Sequence, residues 1–429
     1  MINPSQTDMK WFLDARFGMF IHYGLFSLLE RGEWVMNRER IATADYMKLM
    51  DRFTAEAFDA DAICKIAKQS GMRYVVLTTM HHEGFALYDS DVVPFNSMKS
   101  AAKRCLVSEF VEAARKYDLK IGLYHSLNNW SCKPDGADTL ENKADYDLYI
   151  QYTFDRIEEL VTKFNPIDVL WYDGWWPFNA DGWQAQRMNE MVRKHQPHIL
   201  FNGRNGLAGD FGTPEGHMSA PSPWRPWEAC ITHNDSWGYS VADQNWKSPK
   251  QVIQMLATAA QGCGNLLLNI GPKPDGSIPQ PSMEMLKEVG DWLTRHGDCI
   301  YQTEPFTFNL MDRTGHRGDW SYHGPFTAKG NQLHQIITRW QTEGQLTYGG
   351  IVNKIKSVTL DGMHSEVVSF TQKGDVVRVT GLPKDNPDTL YPVLTFECDG
   401  QPELNTTAGM RVPAVKHPPY DPCPSDIAH

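Results

Sequence analysis

One segment of the chain combines a carboxylate with several indole rings. Residues 168–176 have the sequence DVLWYDGWW, in which an apolar run ends at Asp173. Aromatic faces pack against the C–H surface of a sugar ring, and a carboxylate at a strand end can attack or stabilise an anomeric carbon. We therefore interpret Asp173 as a candidate nucleophile. The alternative is an Asp that only opens a turn before Gly174, since Asp-Gly is common in turns.

Other apolar runs also stop at polar or aromatic side chains. These side chains are His22, the pair His81 and His82, Tyr124 with His125, and Asn202 with Arg204. A single residue of this kind is more often a buried structural group than part of a site. Several runs that end in this way are hard to explain as turns, because turns favour Gly, Pro, Asn, Asp and Ser. We therefore expect these strand ends to form one site.

The elements that would position these residues follow from the pattern of the first 300 residues or so. Short apolar runs alternate there with helical patterns, which predicts repeated βα units and a parallel sheet. The predicted strands are 17–23, 74–79, 121–124, 169–172, 199–202, 229–232 and 265–270, and amphipathic helices are predicted at 59–70, 106–117 and 145–164. Such units indicate an α/β fold of the (β/α)8-like (TIM-type) barrel class, in which strand carboxyl ends converge on one face.

The pattern changes after about residue 304. Short alternating runs such as 367–370 and 376–379 are separated there by Gly, Asp and Pro, which predicts a small antiparallel β-domain. We therefore divide the chain into a catalytic region, 1–303, and a C-terminal domain, 304–429. The second region ends in a proline-rich tail that begins at Pro413 and is expected to be extended.

The composition is that of a soluble globular protein with an excess of aromatic residues. Hydrophobic residues make up 41% and charged residues 22% of the 429 residues, and 14 Trp is a heavy load that points to carbohydrate. The net charge is -11 and no run of Lys or Arg forms a phosphate-binding stripe. Nucleic acid is therefore not an expected partner.

Other classes are disfavoured by single features of the sequence. No window approaches 18 consecutive apolar residues, so we expect no membrane-spanning helix. The first residues lack a basic stretch followed by an apolar one, which predicts a cytoplasmic location. The 8 Cys are scattered without a CxxC pair, and His81 and His82 have no third ligand at zinc-like spacing, so we expect neither a metal nor a cofactor. We leave open whether the chain forms a homo-oligomer.

Taken together, these motifs resemble those of glycoside hydrolase family 29 α-L-fucosidases. The resembling stretches are 16–24 (RFGMFIHYG), 32–34 (GEW), 81–85 (HHEGF), 170–174 (LWYDG), 236–239 (SWGY) and 264–272 (GNLLLNIGP). The resemblance implies a (β/α)8-like barrel followed by a C-terminal antiparallel β-sandwich domain. It also implies removal of terminal α-L-fucose from an oligosaccharide or glycoconjugate with retention of configuration, and Asp173 as the nucleophile.

Retention needs a second carboxyl group as acid/base, and the resemblance leaves two candidates. Glu215 lies in a loop rich in Gly and Pro, where a carboxyl group can move over a leaving group, whereas Glu228 begins a predicted strand and could orient other side chains. We favour Glu215 on this argument alone, because functional groups that must move lie more often on loops.

The resemblance also implies a set of substrate contacts. The implied contacts are His22, Glu33, Trp34, His81, His82, Tyr124, Trp171 and Arg204, with Trp237 near the aglycone. The block at 224–227 (WRPW) is expected to shape the leaving-group site. One departure is Met80, where family members often carry Lys.

Two alternatives stay open at this point. The first is a retaining glycosidase for another sugar, such as a galactoside that shares the hydroxyl arrangement of fucose. The second is a non-catalytic carbohydrate-binding relative on the same fold, because a fold alone does not establish an activity. The second alternative predicts a missing carboxylate, whereas the sequence retains Asp173 and both glutamates.

Overall fold

Parallel strands with intervening helices form the first part of the chain, and antiparallel strands form the last. The computed structural model describes residues 6–221, 224–305, 323–362 and 364–403. The helices are α1 (Gln6–Ala15), α2 (Val35–Arg38), α3 (Thr43–Met47), α4 (Ala60–Gln69), α5 (Leu106–Lys116), α6 (Lys143–Lys163), α7 (Ala185–His195), α8 (Pro249–Gln261) and α9 (Gln280–His296). The parallel strands are β1 (Phe17–Ile21), β2 (Tyr74–Met80), β3 (Lys120–Ser126), β4 (Val169–Asp173), β5 (Leu200–Phe201), β6 (Glu228–Thr232) and β7 (Asn265–Ile270).

The helices begin where the sequence supplies caps. The Asp59 side chain accepts a hydrogen bond from the backbone N–H of Ala62 at the start of α4. Ser248 and Gln251 form a capping box at the start of α8, with Pro249 in its first turn. These side chains satisfy N–H groups that have no partner inside the helix. The predicted helices at 59–70, 106–117 and 145–164 correspond to α4, α5 and α6.

The seven parallel strands form one sheet in the order β5-β4-β3-β2-β1-β7-β6. Strands β2 and β7 are buried along their whole length, as expected when helices cover a parallel sheet. All seven predicted strands are present within the described residues, although β5 is shorter than the predicted 199–202. The prediction of a parallel α/β region is confirmed at this level.

The sheet is strongly curved. The carboxylate of Glu228 on β6 is hydrogen-bonded to Trp171 on β4 and to Tyr74 on β2, although β6 and β4 are distant in the strand order. Segment 210–216 pairs with both edge strands: the N–H of Asp210 donates to the Phe201 carbonyl at 2.7 Å, and that of Gly216 donates to the Cys230 carbonyl at 3.1 Å. The two edges of the sheet are thus connected through this segment.

The antiparallel strands form two sheets. They are β8 (Glu304–Pro305), β9 (Phe326–Lys329), β10 (Gln332–Ile336), β11 (Gln345–Gly349), β12 (Ile355–Asp361), β13 (Ser365–Val367), β14 (Ser369–Lys373), β15 (Val376–Thr380) and β16 (Val393–Cys398). One sheet has the order β13-β12-β16-β10-β9-β8 and the other β11-β15-β14. Both contribute to one hydrophobic core, which includes Leu333 and Phe396 from the first sheet and Tyr348 and Val377 from the second. The prediction of a C-terminal sheet domain is confirmed.

The two regions pack against each other. The indole N–H of Trp292 on α9 donates to the Tyr391 carbonyl at 2.8 Å, and Tyr391 and Val393 belong to the same hydrophobic cluster as the parallel sheet. The proline-rich tail lies outside the described residues, and the division of the chain at residue 304 stays a prediction. None of the helices in the described ranges combines the length and apolar character that a membrane span requires.

Candidate active site

A pocket of about 170 Å³ lies where the carboxyl ends of the parallel strands meet. Its volume is below the roughly 300–1,000 Å³ of sites for drug-sized ligands, which suits a single sugar ring. The pocket is lined by Phe20, His22, Glu33, Trp34, His81, His82, Tyr124, Trp171, Asp173, Trp176, Arg204, Glu215, Cys230 and Trp237. Among the residues singled out from the sequence as catalytic or substrate-binding, Glu228 is the one that does not line it.

Asp173 ends β4, and two donors hold its carboxylate. The Tyr124 hydroxyl donates to Oδ2 at 2.9 Å, and Arg204 donates through Nη1 to Oδ1 at 3.1 Å. The Nε2 atom of His82 lies 3.7 Å from Oδ2. The side chain of Asp173 is 14% exposed, so the carboxylate is held by these donors and is still reachable from the pocket.

The surroundings of Asp173 keep it ionised. Burial alone would raise the pKa of Asp173, but the charge of Arg204 and the Tyr124 hydrogen bond outweigh burial and lower this pKa to about 2. A carboxyl group with such a pKa is an anion at any physiological pH. Asp173 is therefore suited to act as a nucleophile and unsuited to donate a proton.

Arg204 connects the two carboxylates of the pocket. Its Nη2 donates to Oε2 of Glu215 at 2.6 Å while its Nη1 bonds Asp173. Its Nε donates to the Thr213 hydroxyl at 3.1 Å, and its guanidinium lies 4.7 Å above the Trp171 ring. Burial lowers the pKa of Arg204, but Asp173 and other anionic neighbours more than reverse that effect. One fixed cation thus holds both candidate catalytic groups in one place.

Glu215 lies at the mouth of the pocket. Its side chain is 45% exposed, and it sits in segment 210–216, where its backbone forms an isolated bridge with Cys230. Long side chains that reach solvent retain more rotamer freedom than buried ones. Glu215 can therefore move between Arg204 and a group bound above Asp173.

The hydrogen bonds around His22 fix its tautomer. The amide nitrogen of Asn269 donates to the Trp237 carbonyl at 2.8 Å, so the oxygen of that amide faces Nδ1 of His22 at 2.6 Å as an acceptor. Nδ1 must then carry the proton. Burial, followed by the nearby His81, lowers the pKa of His22 to about 3, so the ring is neutral and Nε2 is an acceptor.

His82 follows the same logic. The hydroxyl of Ser126 donates to the Asn128 carbonyl at 2.7 Å, so its oxygen accepts from Nδ1 of His82, also at 2.7 Å. Burial and the neighbouring His81 lower the pKa of His82 well below its usual value. His22 and His82 therefore both offer Nε2 as an acceptor for a hydroxyl group.

Aromatic rings form the walls of the pocket. The indoles of Trp34 and Trp176 stack with centroids 5.7 Å apart, and His81 stacks on Tyr124 at 5.8 Å. Trp237 lies 5.1 Å from the ring of His22. Such faces pack against the C–H surface of a sugar while polar edges bind its hydroxyl groups.

Sequence reasoning missed three pocket residues. Trp176 follows Asp173 in the segment already recognised as aromatic, whereas Phe20 and Cys230 were read as ordinary strand residues. Strand side chains alternate between faces with a period of two. Phe20 lies two residues before His22, so this period could have placed Phe20 on the pocket side of β1.

Glu33 is held from outside the pocket. Its Oε2 accepts from the backbone N–H of Gly238 at 2.8 Å, and 6% of the residue is exposed. The bond links the 32–34 motif with the 236–239 motif, although these motifs are about 200 residues apart in the chain. Glu33 also lines the pocket.

Glu228 lies in the interior of the sheet, away from the pocket. It accepts hydrogen bonds from the Trp171 indole at 2.9 Å and from the Tyr74 hydroxyl at 2.5 Å, and 1% of the residue is exposed. Burial raises the pKa of Glu228 to about 7, although Tyr74, Trp171 and Arg204 oppose this shift. The interior position separates Glu228 from Asp173 and Glu215.

The expectation for the block at 224–227 is wrong. The indole N–H groups of Trp224 and Trp227 both donate to the Gly262 carbonyl, at 3.0 and 2.9 Å. Gly262 precedes β7, so the block lies at the amino end of the sheet because β6 runs from there towards the pocket. Neither Trp lines the pocket.

The Met80 departure leaves the lining of the pocket unaltered. Met80 is buried and its sulfur accepts from Nη1 of Arg156 at 3.4 Å. Within the described ranges, the side chains of His, Cys, Asp and Glu do not gather in threes or more at positions suited to a metal ion.

Known proteins are similar to this chain in sequence and in fold. The family model described as alpha-L-fucosidase matches residues 3–298. The chain is 31% identical over 374 residues to the plasma alpha-L-fucosidase of Homo sapiens, a match that covers 79% of this chain and 78% of that protein. Alpha-L-fucosidase isoenzyme 1 from Paenibacillus thiaminolyticus has a TM-score of 0.82 at 33% identity, over 92% of this chain and 99% of that chain. A Thermotoga maritima alpha-L-fucosynthase, solved in complex with alpha-L-Fuc-(1-2)-beta-L-Fuc-N3, has a TM-score of 0.73 at 27% identity, over 90% and 96% of the two chains.

Proposed function

This chain belongs to the alpha-L-fucosidase family, and we propose that its reaction uses Asp173 as the nucleophile and Glu215 as the acid/base. Membership of the family makes the protein a retaining glycoside hydrolase, as the sequence predicts. The observation that carries the assignment of roles is the single Arg204 guanidinium bonded to both carboxylates inside one sugar-sized pocket.

In the first step, an oxygen of Asp173 forms a bond to the anomeric carbon while the bond from that carbon to the leaving oxygen breaks. Glu215 gives its proton to the leaving oxygen, so the aglycone departs as a neutral alcohol. In the second step, Glu215 takes a proton from water, and the water oxygen replaces Asp173 at the anomeric carbon. Two inversions give net retention, for which the carboxyl groups lie roughly 5–5.5 Å apart.

The position of Glu215 in the structure requires one movement. A group that donates a proton to the leaving oxygen cannot stay in its bond to Arg204, and Glu215 is exposed enough to turn. We infer that a bound sugar, which must sit above Asp173, separates Glu215 from Arg204. The remaining bond from Arg204 to Asp173 would then hold the nucleophile alone.

The sugar is recognised through its hydroxyl hydrogens. His22 and His82 offer unprotonated Nε2 atoms, and Glu33 offers a carboxylate oxygen. Such acceptors select a ring whose hydroxyl groups point at them, and a missing hydroxyl would leave a buried acceptor unpaired. We propose terminal α-L-fucose on an oligosaccharide or glycoconjugate as the substrate, in keeping with the fucosyl ligand of the Thermotoga maritima relative.

We also propose how the two regions of the chain complete their folds. Segment 210–216, bonded to β5 and β6, would close the parallel sheet into a (β/α)8-like barrel over residues 1–303. The two antiparallel sheets, which share a core, would form a β-sandwich within residues 304–429. The cytoplasmic location and a homo-oligomer stay predictions.

An aryl α-L-fucoside tests the assignment of roles. We expect the wild type to release the aryl group, and Asp173→Gly to lose this activity and recover part of it with azide, as a fucosyl azide of inverted configuration. Glu215→Ala should recover with azide through a product of retained configuration, because azide then replaces water in the second step. Release from an aryl galactoside but not from the fucoside would contradict the substrate, and azide rescue of Glu228→Ala but not of Glu215→Ala would contradict the acid/base.

A further inference from the structure

Glu228 connects three strands through the interior of the sheet. It is the first residue of β6, and its two oxygens bond side chains on β4 and β2. Trp171 donates to Oε1 at 2.9 Å and Tyr74 donates to Oε2 at 2.5 Å. A buried carboxyl group is costly unless such donors satisfy it, so this position needs a reason beyond packing.

The Trp171 ring packs against both residues that donate hydrogen bonds to Asp173. The guanidinium of Arg204 lies 4.7 Å above the Trp171 ring, and the ring of Tyr124 stacks on it at 5.6 Å with an angle of 22°. Arg204 and Tyr124 are also the groups that donate to Asp173, at 3.1 and 2.9 Å. A rotation of the indole would therefore move both donors.

The bond to Glu228 fixes that indole. Trp171 is buried, and an indole has one polar atom, its N–H, which can only donate. Phe20, whose ring lies 5.0 Å from Trp171, fills space on one side but cannot accept a hydrogen bond from this N–H. An indole that lost Glu228 would keep its apolar contacts and leave a buried N–H without a partner, which is unfavourable.

We propose that Glu228 is a positioning residue that orients Trp171 and, through Trp171, holds Arg204 and Tyr124 in place against Asp173. The proposal rests on the role of Asp173 as nucleophile proposed above. Glu228 itself does not line the pocket, so it acts through other side chains and contributes no atom to the reaction.

The protonation state of Glu228 does not alter this role. Burial raises its pKa to about 7, and the groups that oppose this shift are Tyr74, Trp171 and Arg204. A proton on Oε2 would face the Tyr74 hydroxyl, which can turn to accept it, and Oε1 would still accept from the indole. An uncharged amide should therefore replace the carboxyl group.

Kinetics with aryl α-L-fucosides of graded leaving-group acidity test this role. We expect Glu228→Ala to lower kcat by about 10²-fold, the cost of a small misplacement of reacting groups. The loss should be equal for good and poor leaving groups, with little change in KM and no rescue by azide. Glu228→Gln should stay within about fivefold of the wild type, since its amide oxygen can accept from Trp171.

A double-mutant cycle identifies the path of the effect. Trp171→Phe removes the indole N–H and keeps a ring under Arg204, so it breaks the same bond from the other side. If Glu228 acts through Trp171, the double variant Glu228→Ala with Trp171→Phe should be no slower than about the slower single variant. Multiplied losses would overturn the proposal. If Glu228→Ala does not fold, Glu228→Leu, which fills the space of the side chain but cannot accept from the indole, takes its place in the same cycle.

Asp388→Asn is a matched control. Asp388 is also buried and accepts from Arg295 at 3.0 Å, but it lies in the C-terminal region, so its loss should lower the melting temperature and leave kcat unchanged. The proposal fails if Glu228→Ala keeps the wild-type kcat, or if azide rescues it and its loss grows with poorer leaving groups. The proposed function fails separately, if the wild type does not cleave the fucoside or Asp173→Gly keeps its activity.

Discussion

The carboxyl and amino ends of the parallel strands are built from different kinds of residue. At the carboxyl end, ionisable groups with shifted pKa values, such as Asp173 and His22, face a pocket. At the amino end, Trp227 packs against Gly264 so closely that a Cβ at Gly264 would overlap the indole ring. Arg16, also at the amino end, donates a hydrogen bond from Nη2 to the Thr303 carbonyl at 2.6 Å.

This difference separates rate from stability. At the carboxyl end, hydrogen bonds hold a charged group where a substrate can reach it. Folding alone does not require a charge in that place. The amino end uses its contacts to join helices, strands and the start of the C-terminal region. A change at the carboxyl end should therefore lower turnover by orders of magnitude, whereas a change at the amino end should lower the free energy of unfolding with little effect on turnover.

The largest expected effect is at the carboxyl end. Asp173→Asn should lower kcat/KM for an aryl α-L-fucoside by about 10⁴-fold or more, because the amide cannot form the covalent intermediate. At neutral pH the free energy of unfolding should fall by about 2 kcal/mol, because the amide loses the stability that comes with the lowered pKa of Asp173. Parallel kinetics and urea unfolding measure both quantities. A large loss of stability with residual activity would show that Asp173 is a structural residue.

Gly264→Ala is the matching change at the amino end. The added methyl group would meet the Trp227 ring, and such overpacking typically costs about 1–3 kcal/mol. Turnover by the folded protein should stay within about threefold of the wild type, because no pocket residue is touched. Urea unfolding followed by circular dichroism gives the first number and active-site-titrated kinetics the second. A rate loss without a stability loss would break the separation of the two ends.

The sequence predicted the carboxyl end better than the interior beneath it. Hydrophobic runs revealed all seven parallel strands, and several residues at the ends of those runs lie in the pocket because parallel strands end on one face. His125 and Asn202, which were expected at the same site, do not line the pocket. Segment 210–216 was not predicted to pair with strands because its Gly and Pro residues give no alternating pattern. Its contacts are with strands β5 and β6, which one sequence cannot place next to it.

The misplacement of one segment has a simple cause. The block at 224–227 was assigned to the leaving-group site because it is near Glu215 in the chain. Residues that precede β6, however, must lie at the amino end of the sheet, and residues that follow β6 must lie at its carboxyl end. The same argument applies to Glu228. Glu228 is the first residue of β6, whereas Asp173 is the last residue of β4, so the two residues start from opposite ends of the parallel sheet.

A third effect distinguishes the two ends by pH. The pKa of Asp173 is about 2 in the folded protein and about 3.9 in an unfolded chain. A lowered pKa contributes stability above the unfolded value, and this stability is lost as the pH falls through the folded value. The free energy of unfolding of the wild type, relative to that of Asp173→Asn, should therefore fall by about 2 kcal/mol between about pH 5 and about pH 2.

Gly264→Ala is the control for this pH effect, because the change adds no titrating group. Its cost, measured by urea unfolding over the same pH range, should stay constant. A difference between wild type and Asp173→Asn that did not change with pH would mean that Arg204 and Tyr124 do not hold an ionised carboxylate.

The smallest expected effect separates the contributions of Tyr124 and Arg204 at the carboxyl end. Tyr124→Phe removes the hydroxyl group that donates to Oδ2 of Asp173 at 2.9 Å and keeps the ring that stacks on Trp171. Because Arg204 still bonds Oδ1, the rate should fall by only about tenfold, the worth of one hydrogen bond to a charged group. The acid midpoint of the Asp173 stability effect should move to higher pH, since one of the groups that lower its pKa is lost. A rate loss as large as that of Asp173→Asn would instead make Tyr124 a participant in the chemistry. An unchanged acid midpoint would show that Arg204 keeps the nucleophile ionised without the Tyr124 hydroxyl.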